Sequence, residues 1–225
     1  MHTRTLSTVI FAFALLTLTS QAALHITGIF DGPLSGGTPK GIELYASDNI
    51  ADLSAYAVGT ANNGGGTDGA EFTLSGSATA GDYIYVVANG NEDEFTSFLG
   101  GSATFASSAL GINGDDAIEL FNITGGSPSV IDTFGVIDVD GNGENWEYMD
   151  GWAYRNTVTA GGAFTASDWT FSGANAWDGA TSNASSDSVM PIGTFTTTPV
   201  PEPSTYALLV GLVGLSYTLN RRRRA

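Results

Sequence analysis

The residues best suited to chemistry lie in one stretch of the chain. Asp138-Val139-Asp140-Gly141-Asn142-Gly143-Glu144 puts an oxygen-bearing side chain at every second position and a glycine where a tight turn needs one. Hard divalent cations take several oxygens at once. Asp138, Asp140, Asn142 and Glu144 are therefore the candidate ligands of one Ca²⁺ ion. The pattern matches only the start of a calcium loop. The position for a bidentate Glu is Met149, with Glu147 and Asp150 merely adjacent. An acidic hairpin turn built on Asn and Gly chemistry explains the same residues. All four Trp of the chain follow closely: Trp146, Trp152, Trp169 and Trp177, with Tyr148 and Tyr154 among them. Aromatic faces can stack on sugar rings, which makes this region a candidate carbohydrate site. Packing of the segment onto a core is the alternative.

Other site chemistry is poorly supplied. The chain has no Cys, which excludes thiol catalysis, disulfides and thiolate metal sites. Beyond the first residues the one His is His25, too little nitrogen for a catalytic zinc, and nothing marks a nucleophile elbow. No glycine-rich phosphate loop sits between a strand and a helix. The many acids leave a glycosidase carboxylate pair as the weakest of the alternatives, and the chain is expected not to be an enzyme.

Charge narrows the partners. The 225 residues carry 23 acids and 7 bases, a net charge of −16. Between residues 23 and 199 the only bases are Lys40 and Arg155, so the body is more acidic than the whole chain. Such a surface repels nucleic acid and anionic membranes, and leaves cations or neutral sugars as easier partners. Arg155 is expected to pair with an acid or to stack on a neighbouring ring.

The two ends read as addresses. Arg4, the apolar run Leu6 to Thr19 and the small residues Ser20 and Ala22 predict a signal helix over 1–22, cut by signal peptidase after Ala22. At the other end a Pro-rich linker spans 197–203, an apolar segment 204–220 and a basic tail 221–225. The apolar run Thr205 to Leu219 spans about 22 Å as a helix, a marginal transmembrane length. Its Arg221 to Arg224 cluster should stay cytoplasmic. Val200-Pro201-Glu202-Pro203, the short apolar helix and the arginines, in this order, resemble a PEP-CTERM sorting signal. The resemblance implies a Gram-negative bacterium and an inner-membrane intermediate. It also implies processing by an exosortase at Val200, Pro201, Glu202 and Pro203, and delivery to the cell surface or an exopolysaccharide matrix.

The elements that must position any site are short and strand-like. Leu24 to Ile29 and Ile42 to Tyr45 alternate, and Tyr83 to Ala88 reads as a strand buried on both faces. Tyr56 to Val58, Phe72 to Leu74, Ile118 to Phe121 and Val130 to Phe134 complete the series, with Asn/Gly-rich turns between them. Glu92 to Leu99 is the one helical spacing, and 163–195 is expected to add strands and extended chain to the same domain. The pattern predicts an all-β sandwich over 23–196. Gly41-Ile42-Glu43-Leu44-Tyr45, Asp52-Leu53-Ser54-Ala55-Tyr56 and Gly111-Ile112-Asn113-Gly114-Asp115-Asp116-Ala117-Ile118-Glu119-Leu120-Phe121 also resemble the lamin-tail domain. That resemblance implies an immunoglobulin-like fold and a non-catalytic extracellular role. Together these readings predict a structural or adhesive matrix protein, with a carbohydrate-binding module as the alternative.

Overall fold

The computed structural model describes residues 23–157 and 162–197. The segments read as signal helix, sorting motif, apolar helix and basic tail lie outside the described residues. In chain order the strands are β1 (Leu24–Leu34), β2 (Thr38–Ala46), β3 (Tyr56–Ala61), β4 (Phe72–Thr73), β5 (Tyr83–Ala88) and β6 (Phe105–Ser107). Four more follow: β7 (Ala117–Asn122), β8 (Ser129–Phe134), β9 (Gly151–Arg155) and β10 (Trp169–Phe171). They form a six-stranded sheet in the order β10-β9-β1-β2-β5-β6 and a four-stranded sheet in the order β4-β3-β7-β8. All pairings are antiparallel except β5 with β6. The β1–β2 hairpin turns at Gly36 and Gly37, whose φ values of 90° and 67° suit residues without a Cβ. The architecture is the predicted β-sandwich.

Two apolar layers hold it together. The inner core joins Leu24, Ile26, Ile29, Ile42, Leu44, Ile84 and Val86 of the larger sheet to Val58, Ile118, Leu120 and Phe134 of the smaller one. Each such side chain, fully buried, contributes about 1.5–3 kcal/mol. The second core lies on the outer face of the larger sheet. There Phe30, Tyr45, Val87, Trp152 and Tyr154 are covered by α1 (Glu92–Leu99) and by Trp177, Met190 and Phe195. The helix forms where the spacing predicts it. Phe95, Phe98 and Leu99 fall on one buried face, three acids favour its N-terminus, and Gly100 ends it in the left-handed region.

Several local expectations change. β1, read as alternating, is buried along both faces, because the 177–195 segment covers the side that a plain sandwich would expose. A register shift between Ile26 and Gly28 keeps both Ile26 and Ile29 on the inner side. β6 and β9 were not legible as strands. In β9, Trp152 and Tyr154 face the outer core while Ala153 faces the inner one. The 163–195 region contributes only β10 as a strand, with single 3-10 turns at Ala166–Asp168 and Asn183–Ser185, and is otherwise irregular.

One buried ion pair joins the sheets. Arg155 of β9 donates through Nη2 to Asp132 Oδ1 of β8 at 3.0 Å, and through Nη1 to Asp132 Oδ2 and to the Ile26 carbonyl. Asp132 also accepts from Ile26 N at 2.8 Å. The guanidinium lies 4.9 Å from the centre of the Trp169 ring, so Arg155 has both the acid and the ring that its scarcity suggested.

Candidate functional site

The acidic loop sits at the end of the sandwich where β1 meets β2 and where β9 begins. It packs on neighbouring turns: Gly141 N donates to Asp115 O at 3.0 Å, and Tyr148 N donates to Gly114 O at 2.7 Å. Gly141 is required here, since a Cβ would lie 2.6 Å from both Asp115 O and the Trp146 ring. Asp138, Asp140, Asn142 and Glu144 are all exposed. Asp140 turns back to accept from Asn142 N at 3.0 Å, and Glu147 accepts from Gly143 N at 2.9 Å. Those carboxylates cap their own turn. Among the described residues, no group of three or more His, Cys, Asp or Glu side chains is placed to hold a metal ion.

The buried and half-buried acids of this end are more constrained. Asp116 accepts from Asn63 N at 2.8 Å and Asn113 N at 3.1 Å, yet burial raises its pKa. Asp115 is raised first by burial and then by the carboxylates of Asp116 and Asp140. Lys40 Nζ donates to Asp31 Oδ1 at 2.7 Å. Burial outweighs this partner and pushes the Asp31 carboxyl up to about 6. His25 belongs to the other end of β1, buried, with Nε2 3.2 Å from Ser47 Oγ.

The Trp cluster is divided between the two cores. Trp146 and Trp169 belong to the inner one and pack edge-on against Phe134, with centroids 6.0 and 4.8 Å away. Trp152 and Trp177 belong to the outer one, and both indole N–H groups donate to Ser188 O, at 2.9 and 2.8 Å. All four are buried, none more than 6% exposed. A sugar-stacking platform needs open ring faces, and this arrangement corresponds to the core-packing alternative instead.

The most organised polar site was missed in the sequence. Glu43, at the centre of β2, is fully buried beneath the Met190–Phe195 segment. Its Oε1 accepts from Thr27 Oγ1 at 2.7 Å and from the Tyr154 hydroxyl at 2.9 Å, and Oε2 accepts from Gly193 N at 2.6 Å. Tyr154 Oη in turn accepts from Thr194 N at 3.0 Å and Phe195 N at 2.8 Å. The Tyr83 hydroxyl donates to Phe195 O at 2.6 Å. Burial raises the pKa of Glu43, opposed by the hydroxyls of Thr27, Tyr154 and Tyr85 and by Gly193 N. Burial also raises the phenols of Tyr85 and Tyr154, with the Glu43 charge next. A signal for this site was available: Glu43 between Ile42 and Leu44 must point away from the inner core, on the same face as Tyr45. What hid it was the cover, drawn from residues far along the chain.

Compared with known proteins, the chain matches no family model, no curated protein and no solved structure.

Proposed function

We propose that this chain is an exported, non-catalytic structural or adhesive protein of a Gram-negative bacterial surface or extracellular matrix. Its body is a lamin-tail-like, immunoglobulin-type sandwich. Its delivery runs through an inner-membrane intermediate held by 204–220, followed by exosortase processing at Val200-Pro201-Glu202-Pro203. The observation that supports this reading most is where the packing of the body stops. The compact unit closes at Phe195, and the Pro-rich linker that carries the motif begins immediately after it. A folded body ending just before a processing motif is what a display protein needs, because cleavage then leaves the fold untouched. The acidity of the body supports a neutral or cation-bridged polysaccharide partner and disfavours nucleic acid. The test is the intact mass of protein extracted from the surface of the producing cell. A mass that lacks the residues after the motif is expected, and one that still includes Arg221 to Arg224 refutes the reading.

A further inference from the structure

Three features of the molecule invite a role: the acidic loop end, the Lys40–Asp31 pair and the Glu43 site. The first two are closed within themselves, by turn-capping bonds and by each other. The third is different, because half of it is the segment that leads into the linker.

We propose that Gly193–Phe195 is a releasable latch on the outer face of the sheet, and that it sets how far the processing motif can stand from the body. The purpose of the latch rests on the sorting reading above; its existence rests on the geometry alone.

The latch is held without a strand ladder. Glu43, Tyr154 and Tyr83 bond the backbone of Gly193, Thr194 and Phe195 through side chains, and the Phe195 ring packs edge-on against Tyr45 at 5.2 Å. Opening it therefore breaks no sheet hydrogen bond. Closing it has a specific cost. Glu43 is sealed from water, and its donors are hydroxyls and a backbone N–H rather than a cation. Opening returns water to that carboxylate, which offsets part of the lost bonding and makes the latch easier to release than a packed strand.

The next anchors lie just behind it. Asn183 clips Met190 through both its backbone N (2.8 Å) and its carbonyl (2.9 Å), and Ser188 O holds the two indoles. Release would thus run back to Met190 and stop. With the latch closed, chain from Phe195 to Pro201 can span at most about 20 Å, and with it open, chain from Met190 to Pro201 can span about 37 Å. Nearly doubling the reach changes which positions a membrane-bound protease can meet.

The test uses the full exported chain solubilised in detergent, with hydrogen exchange followed by mass spectrometry. Three variants are compared: Tyr154→Phe, which removes the oxygen that accepts two latch amides, and Phe195→Ala and Thr194→Pro, which alter only the latch. Wild-type amides 193–195 should be protected. Each variant should exchange the amides it retains among 193–195, Thr194→Pro having none at 194, about tenfold faster or more, while β1 and β2 amides keep their wild-type rates. Unprotected wild-type amides, or exchange only together with β2, overturn the latch. In the producing cell, Phe195→Ala should be processed faster than wild type. Unchanged processing beside faster exchange overturns the reach argument. If wild type is never processed, the sorting reading fails and takes the purpose of the latch with it, whereas the exchange result is read independently.

Discussion

The two faces of the six-stranded sheet are buried by different means. On the inner face, strand meets strand largely through Ile, Leu, Val and Phe from elements with their own hydrogen-bond ladders, with Trp146, Tyr148 and Trp169 and the Asp132–Arg155 pair among them. On the outer face, the cover is one short helix and a long irregular segment, and the layer mixes aromatic rings with a sealed carboxylate. The inner face draws its stability from area removed from water. The outer face must also satisfy the backbone groups of chain that lacks a ladder, and it does so with Tyr, Glu, Asn and indole side chains. Paired strands already satisfy their own backbone groups and can be buried mostly by apolar residues, whereas an irregular cover needs polar groups from the surface it covers.

Four variants or conditions test that contrast. Phe134→Ala should do the most damage, since the ring contacts Trp146, Tyr148, Phe164 and Trp169. A loss of about 3–5 kcal/mol is expected in denaturant unfolding, enough to threaten folding itself. A loss near zero would mean that the sheets are not joined through this core. Asp132→Ala should cost about 3–4 kcal/mol because it strands Arg155 in the interior, while the double variant Asp132→Leu with Arg155→Met should cost clearly less. If the double variant is the worse of the two, the ion pair is a net stabiliser and the inner face depends on more than apolar area.

The pH profile comes next. The folded Asp31 carboxyl, at about 6, sits above its unfolded value, and Glu43 is raised in the same direction. The folded state therefore keeps protons that the unfolded chain has already released. The Asp31 contribution is fully present below about pH 4 and is lost as the pH rises through about 6, and Glu43 acts in the same direction. For Asp31 this amounts to about 2–3 kcal/mol, and Asp31→Asn should flatten the slope of stability between pH 4 and 7. A slope unaltered in Asp31→Asn would show that other groups carry it. The smallest effect should be Tyr154→Phe, about 1–2 kcal/mol in global stability, because it loosens the cover and removes one donor of Glu43 but leaves the inner core intact. A loss as large as that of Phe134→Ala would erase the distinction between the two faces.

The same contrast explains what the amino-acid order discloses. Helix Glu92–Leu99 is legible because its spacing, its acidic first turn and its glycine stop all agree. Strand Tyr83–Ala88 is legible because a β-branched and aromatic run lies between turn residues. The double burial of β1 is not, since the second layer comes from residues 177–195, which have no periodicity to project. Asp138, Asp140, Asn142 and Glu144 are correctly spaced oxygens. Spacing leaves open whether a carboxylate faces a common centre or its own backbone, and Asp140 takes the second course. For the four Trp, composition reveals a large area to bury, and the core each ring enters is set by β9 for Trp152, by β10 for Trp169 and by the path of irregular chain for Trp146 and Trp177.

The staple between the sheets has a bearing on time. Ile26, Asp132 and Arg155 are joined in one buried knot although they lie far apart along the chain. β1 also sits between β2 and β9, so one of its edges stays open until β9 arrives. A chain delivered N-terminus first can pair β1 with β2 early, yet it must hold Asp132 without its counterion until Arg155 follows. Contacts of such long separation are slow to form. The body should therefore stay incompletely folded, and in need of protection from premature pairing, for most of the time it takes to emerge.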